Sequence, residues 1–261
     1  YLVRVECLKM VHSAKASHIG SALSIVDILA TLYSQILKYD SKNPNLNPRD
    51  RFILSKGHAC CAVYATLAHC GYFSVNLLKT FAENGSDFMS HISHKVPGVE
   101  FSTGSLGHGL PYAVGKAMAA KRNDQGWRTY VLTSDGELDE GSNWEAIMFS
   151  AHFQLDNLTI IVDYNKLQSL TSTEETIRLE PLVSKFESFG IFCIEVDGHN
   201  FEELKKAFDK ACTVKNKPTV ILAHTIKGKG VSFMENSVKW HYKSPSDKQL
   251  KDALKEVEKA L

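Results

Sequence analysis

The sequence lacks the features that define several broad classes of protein. Its 261 residues contain 30 Lys and Arg against 29 Asp and Glu, so the net charge of +1 gives no electrostatic footprint for nucleic acid or a membrane surface. No apolar run reaches the ~18 residues that a membrane span requires. The six cysteines show neither metal-ligand spacing nor a disulfide framework. We therefore expect a cytoplasmic globular protein with reduced thiols that binds neither nucleic acid nor membrane.

What the sequence does contain is an alternation of apolar strands and amphipathic helices. The strands are predicted in RFIL, TYVLTS, LTIIVDY, FGIFCIEV and PTVILAH. This order predicts an α/β fold with a parallel sheet flanked by helices on both faces. We expect a single domain over residues 1–261, helical over residues 1–38 and ending in a charged helix over about residues 245–261. A loop of ~20 residues is predicted over 85–106, and loops of that length are usually functional.

Polar side chains follow two successive predicted strands. Asp135 follows TYVLTS, and Asn165 follows the next strand, 165 − 135 = 30 residues later. Adjacent parallel strand ends can lie about 5 Å apart, at the edge where such sheets bind ligands. A carboxylate, an amide oxygen and a nearby carbonyl suit Mg²⁺ or Ca²⁺. Gly136 permits close backbone approach, and the helix that follows offers its N-terminus to a phosphate. The alternative is that Asp135 only caps this helix and Asn165 only makes a turn.

Several motifs, in order, resemble the transketolase family. SDGELDEG followed by DYNKLQ is similar to the thiamine diphosphate motif, usually GDG…N. SHIGSALS, RFILSKGHA, PGVEFSTGSLGHGL, VDGHN and TIKGKGVSFMENSVKWH occur in the order expected of a transketolase N-terminal half. The resemblance covers nearly the whole chain. It implies the diphosphate-binding domain of the thiamine diphosphate-binding fold, with thiamine diphosphate and Mg²⁺ or Ca²⁺ as cofactors.

The same resemblance implies roles for individual residues. Asp135 and Asn165 bind the cation, and the main-chain carbonyl of Leu167 completes the protein ligands. Gly136 contacts the diphosphate, and Glu140 links the two active sites of a dimer.

The resemblance also implies which residues surround the reactive part of the cofactor. Gly104 and Leu106 match backbone positions that shape its bent conformation. Four histidines resemble those around the reactive carbon, where imidazole can donate or accept protons near neutral pH. They are His18, His58, His91 and His241. The resemblance implies that His58 also binds the cofactor. His94 competes with His91, but the six-residue spacing from His91 to Pro97 favours His91.

Other residues have open or structural interpretations. His199 resembles a structural turn, and the role of His108 stays open. Lys227 and Lys229 either approach the diphosphate or a substrate, or form a solvated basic turn. Asp163 is expected to brace the loop of Asn165. The remaining histidines are expected at packing or surface positions: His12, His69, His152 and His224. Of these, His224 ends a predicted strand and would therefore lie near the diphosphate.

Two residues depart from the family pattern. Ser134 replaces the first glycine of GDG, where a small hydroxyl fits or donates to a phosphate. Tyr242 stands where the family commonly has Gly, beside His241, and indicates an altered substrate scope.

The expected function is that of the N-terminal subunit of a split transketolase, which moves a two-carbon ketol unit from a ketose, often phosphorylated, to an aldehyde. By resemblance, a full transketolase is more than twice as long, and its pyrimidine-binding domain supplies a glutamate to the cofactor. We expect that domain on a second subunit in an α₂β₂ assembly, since the charged terminal helix favours a natural end over a fragment. The alternatives are a deoxyxylulose phosphate synthase-like enzyme and a non-catalytic cofactor-binding paralogue with a structural or regulatory role.

Overall fold

Five parallel strands form the centre of the structure, a computed structural model that describes residues 1–259. The strands are β1 (Arg51–Leu54), β2 (Thr129–Ser134), β3 (Leu158–Tyr164), β4 (Phe192–Asp197) and β5 (Thr219–His224). Their order across the sheet is β1-β2-β3-β5-β4. All five strands predicted from the sequence are present. The fourth begins at Phe192 rather than Phe189 because Gly190, at φ +85°, lies in the turn that precedes it.

Ten α-helices surround this sheet in the described part of the chain. They are α1 (Leu2–Ser13), α2 (Ile19–Ser24), α3 (Val26–Thr31), α4 (Cys60–His69), α5 (Gly109–Arg122), α6 (Gly141–His152), α7 (Thr173–Thr176), α8 (Leu182–Ser188), α9 (Phe201–Thr213) and α10 (Asp247–Lys259). The short helices α7 and α8 were not predicted. No helix within residues 1–259 combines the length and the apolar character needed to cross a bilayer.

Alternate strand residues point into two separate hydrophobic cores, as the period of two in a strand requires. Leu132 and Ile161 belong to one core, together with buried residues of α1 to α4, α9 and α10. Val131 and Ile160 belong to the other, together with buried residues of α5, α6 and α8. Both faces of the parallel sheet are therefore covered, and the predicted fold class is confirmed.

The first 38 residues differ from the continuous helix that was predicted. Apolar residues do recur at helical spacing, but α1 ends at Ser13 and α2 begins at Ile19. Lys15 and His18 have positive φ angles of 49° and 75°, which a right-handed helix cannot contain. The prediction was wrong there because periodicity does not report left-handed backbone. The break places His18 at the start of α2.

The last helix begins with a capping box. Ser246 N donates to Gln249 Oε1 at 3.0 Å, and Gln249 N donates to Ser246 Oγ at 3.4 Å. Helix α10 then extends from Asp247 to Lys259, and the rest of the predicted helix, residues 260–261, lies outside the described residues. The single domain over 1–261 stays a prediction. Residues 85–106 contain no helix or strand, as predicted.

Candidate active site

The carboxyl ends of β2 and β3 bring the predicted polar residues together. Ser134 and Asp163 are register partners, and Asp135 N donates to Asp163 O at 3.3 Å. Asn165 follows one residue after the end of β3. The spacing of one crossover therefore places Asp135 and Asn165 on neighbouring strands, as predicted from the sequence.

Asp135 is a buried carboxylate with main-chain partners. Its Oδ1 accepts a hydrogen bond from Gly136 N at 2.7 Å, and its Oδ2 accepts one from Lys166 N at 2.5 Å. Burial and the negative charge of Asp163 raise the pKa of Asp135 to about 7, although these two N–H groups oppose the shift. A nearby cation would stabilise the charged form. The Gly136 amide, which was expected to contact a phosphate, donates here to the Asp135 side chain.

Oxygen atoms form the corner in which the cation is predicted. Asn165 Nδ2 donates to Asp163 Oδ2 at 3.1 Å, and Asn165 Oδ1 accepts from Leu167 N at 3.1 Å. The Leu167 carbonyl accepts from Lys227 Nζ at 2.9 Å, so an ammonium group already binds this oxygen. A carboxylate, an amide and a carbonyl that attracts positive charge fit a hard cation. Within residues 1–259 there is no cluster of three or more His, Cys, Asp and Glu side chains suited to a metal.

Asp163, on β3, connects residues that follow β1 and β5 with the end of α2 beneath this corner. Its carboxylate is fully buried and accepts hydrogen bonds from Lys56 Nζ, from Thr225 Oγ1 and, at 2.6 Å, from Ser24 Oγ. Burial alone would raise the pKa of Asp163, but the charge and hydrogen bond of Lys56 lower it. Since the same carboxylate also accepts from Asn165 Nδ2, it fixes the orientation of that amide. These contacts agree with the expected bracing of the Asn165 loop.

Ser134 and Glu137 exchange hydrogen bonds across the turn that contains Asp135. Glu137 N donates to Ser134 Oγ at 3.3 Å, and Ser134 N donates to Glu137 Oε2 at 3.4 Å. This reciprocal pair has the pattern of a capping box, here on the short 3₁₀ turn Gly136–Asp139. A glycine at position 134 could not accept the first of these bonds. Ser134 therefore stabilises the turn that holds Asp135.

Glu137 also holds the segment that ends at Gly107, on another side of the site. It is fully buried and accepts hydrogen bonds from Ser55 Oγ at 2.6 Å and from Gly107 N at 2.9 Å. Burial raises the pKa of Glu137, and these bonds oppose the shift. Gly107, at φ +79°, ends the segment that contains Gly104 and Leu106.

The four predicted histidines form one cluster. The ring of His18 lies 5.0 Å from the rings of both His58 and His241, and 5.6 Å from that of His91. His58 and His241 are 5.5 Å apart. The backbone joins two of them, because His18 N donates to His241 O at 2.6 Å. Sequence positions 18, 58, 91 and 241 thus meet at one place.

The surroundings of the cluster favour uncharged rings at neutral pH. Burial, followed by the neighbouring His91 and Lys227, lowers the pKa of His18 to about 4. Burial and the positive charge of Lys227 lower the pKa of His241 to about 3. Burial likewise lowers the pKa values of His58, strongly, and of His91. Each neutral ring then has one donor and one acceptor nitrogen, which suits proton exchange with hydroxyl groups.

The oxygen corner and the histidine cluster line a single cavity of about 270 Å³. Ten of the predicted site residues line it: His18, His58, His91, His241, Gly104, Leu106, Asp135, Gly136, Asn165 and Leu167. Glu140 does not; it is exposed at the start of α6. Its expected role between two active sites stays a prediction. Ser134 and Tyr242, the two departures from the family pattern, also line the cavity.

The structure shows which of the residues with open interpretations line the cavity and which do not. Lys227 is buried and lines the cavity, whereas Lys229 is half-exposed near Glu235. His94 bonds to Ser102 and lies outside the lining, so His91 is the better candidate. His108 contacts the carbonyl of Leu106 from an exposed position. The remaining histidines lie outside the cavity lining: His12, His69, His152, His199 and His224.

Two charged residues and three uncharged residues of the site were missed in the sequence. Lys56 follows β1 at the same sheet edge as Asp135, so the strand-end reasoning applied to it as well. Glu137 stands three residues after Ser134, the spacing of a capping box. Ser21, Gln168 and Ser169 also line the cavity, without a sequence signal that we can name.

A parallel sheet with helices on both faces and polar residues at the ends of its central strands belongs to the α/β class of domains that bind ligands at this edge of the sheet. Residues 1–257 match the family described as transketolase, thiamine diphosphate binding domain. The chain therefore belongs to the transketolase family, and the family predicted from its motifs is confirmed.

Relatives along the whole chain are named as single subunits of transketolases. The chain is 41% identical over 258 residues to an apulose-4-phosphate transketolase subunit of Phocaeicola vulgatus, covering 99% of this chain and 92% of the relative. It is 40% identical over 259 residues to the 6-deoxy-6-sulfo-D-fructose transketolase subunit SqwG of a Clostridium species, covering 99% and 94%. The transketolase of Leishmania mexicana superposes with a TM-score of 0.92 at 32% identity, over 98% of this chain and 40% of that chain. The chain thus matches nearly the whole length of proteins that are named as transketolase subunits, and about two fifths of the length of the Leishmania mexicana transketolase.

Proposed function

We propose that this chain contributes the cation-binding site, the diphosphate-binding site and the histidine cluster of a two-subunit transketolase. The observation that supports this most directly is the meeting of the oxygen corner and four neutral histidines in one cavity. Asp135, Asn165 and the Leu167 carbonyl would hold Mg²⁺ or Ca²⁺. Lys227 would then be free to turn its ammonium group to the diphosphate.

The cofactor, when bound, supplies the carbon chemistry of ketol transfer. The chain's own residues bind and orient it, and they exchange protons with the sugar. Neutral rings at His18, His58, His91 and His241 can each donate to one hydroxyl oxygen and accept from another. Gly104 and Leu106 would support the cofactor's shape from the segment that Glu137 holds.

The partner would be a second chain with the pyrimidine-binding domain, in an α₂β₂ assembly of a cytoplasmic enzyme. Relatives named as one subunit of a transketolase support a partner, and exposed Glu140 beside the cavity supports a role at a subunit boundary. The substrates would be a ketose and an aldose with a terminal anionic group. Support for this comes from the sugar phosphate and the sulfosugar in the relatives' names.

Calorimetry with thiamine diphosphate and MgCl₂ tests the site. Wild-type chain should bind the cofactor only with the cation, and Asp135→Ala should abolish cation-dependent binding. Asp252→Ala, an exposed aspartate on α10, is the matched control and should bind normally. Unchanged binding by Asp135→Ala would refute the cation assignment. Full ketol-transfer turnover by this chain alone would refute the need for a partner.

A further inference from the structure

A buried chain of contacts outside the cavity ends beside Lys227. Arg4 donates to Asp27 from both terminal nitrogens, at 2.9 and 2.6 Å. His199 Nδ1 lies 2.8 Å from Asp27 Oδ2, and Ile226 N donates to His199 Nε2 at 2.8 Å. Asp27 and His199 are almost completely buried, with side chains 7% and 10% exposed. The contacts connect α1, α3 and the turn after β4 to the residue before Lys227.

The partners of His199 determine where its proton lies. Ile226 N–H can only donate, so His199 Nε2 accepts and is unprotonated. Nδ1 then bears the hydrogen and donates to Asp27. Burial alone would raise the pKa of Asp27, but the hydrogen bonds from His199 and Arg4 lower it to about 2. The ring is thus fixed in one tautomer by a permanent carboxylate, which Arg4 holds in place.

Ile226 is one of three backbone anchors around Lys227. The other two are Asn236 N, which donates to Lys227 O at 2.9 Å, and Gly228 N, which donates to Gly20 O at 2.9 Å. Lys227 extends from this segment into the cavity, where Nζ reaches the Leu167 and Gln168 carbonyls at 2.9 and 2.8 Å. The position of the ammonium group therefore depends on where these anchors hold the backbone.

We propose that Arg4, Asp27 and His199 are positioning residues that set the place of Lys227 through the Ile226 amide, and thereby set the affinity for the diphosphate. The inference rests on the proposed function, because it takes Lys227 as a diphosphate ligand. It assigns His199 a task at the site, beyond the structural turn expected from the sequence. Loss of the His199 acceptor leaves the Ile226 amide without its partner and loosens one anchor of Lys227.

A double-mutant cycle on the full chain tests this coupling. The affinity for inorganic pyrophosphate with MgCl₂ is measured by calorimetry for wild type, His199→Leu, Lys227→Met and the double variant. His199→Leu has no acceptor for the Ile226 amide and should weaken binding by about tenfold, the effect of one hydrogen bond near a charged group. In the Lys227→Met background the same change should have little effect. The exposed His152→Leu is the control and should bind like wild type.

Equal losses of affinity from His199→Leu with and without Lys227 would overturn the proposal, because a merely structural role is additive. A second measurement does not depend on the variants folding. Nitrogen-15 spectra of the wild-type chain should show His199 Nε2 unprotonated, and a protonated Nε2 would overturn the proposal. Wild-type chain that binds neither pyrophosphate nor thiamine diphosphate would instead refute the proposed function.

Discussion

Acid should destabilise this protein through its histidine cluster, and His241→Asn should remove a measurable share of that effect. The pKa of His241 is lowered from 6.5 to about 3, so the folded chain excludes a proton that the unfolded chain accepts. For a group with a depressed folded pKa, stability is present above pH 6.5 and is lost as the pH falls toward 3. The loss is about 1.4 kcal/mol per pH unit for each such histidine.

The size of the effect follows from the pH window. Between pH 7 and pH 5 a single excluded proton costs about 2 kcal/mol, whatever the folded pKa below 5 is. His18, with its pKa lowered to about 4, adds a smaller amount, because solvent reaches its half-buried ring. Together they remove about 3 kcal/mol, a large part of the 5–15 kcal/mol that stabilises a typical domain.

Urea unfolding at pH 7, 6 and 5 measures this directly. His241→Asn should reduce the loss of unfolding free energy between pH 7 and pH 5 by about 2 kcal/mol relative to wild type. Carboxylate titrations cancel in this comparison because both proteins contain them. His152→Asn, on the exposed end of α6, is the control and should keep the wild-type pH dependence. An identical pH dependence in His241→Asn would show that His241 takes up its proton in the folded state.

Three further substitutions follow from the contacts of the site. Ser134→Gly removes the acceptor of Glu137 N and should lower the free energy of unfolding in urea by about 0.5 kcal/mol; a much larger loss of cofactor affinity would show a second role on the phosphate. Lys56→Met leaves buried Asp163 without its cation and should cost about 3–5 kcal/mol; a loss below about 1 kcal/mol would contradict the ion pair. Tyr242→Gly at the cavity wall should change the ratio of kcat/KM values between substrates by about tenfold, with thermal stability unchanged. An unchanged ratio in the two-chain enzyme would remove Tyr242 as a specificity residue.

The sequence predicted those parts of the fold and the site that depend on a single strand or a single motif. The ends of β2 and β3 could be predicted because buried parallel strands are continuous apolar runs, and polar residues follow them directly. Asp135 and Asn165 then became neighbours through a single crossover. The grouping of His18, His58, His91 and His241 came only from family resemblance, since no local pattern connects residues so far apart.

What could not be predicted depends on backbone conformation and burial. The break between α1 and α2 rests on left-handed residues, Lys15 and His18, that hydropathy does not reveal. Lys56 and Glu137 are charged types that are usually exposed, so their burial follows only from the partners that the fold brings to them. The contacts of His199 with Asp27 and Ile226 join segments whose order in space was not predicted.

The bond between His18 N and His241 O has a consequence for how the protein is made. It joins positions 241 − 18 = 223 residues apart, and Ser17 Oγ adds a second connection at 3.1 Å by donating to Tyr242 O. During synthesis, the ribosome must release most of the chain before these partners can meet. Contacts of such high sequence separation form slowly, because loop closure precedes any gain. The β1-β2-β3 part of the sheet ends at Tyr164 and can form earlier, whereas β5 and the histidine cluster must wait for residues beyond 218.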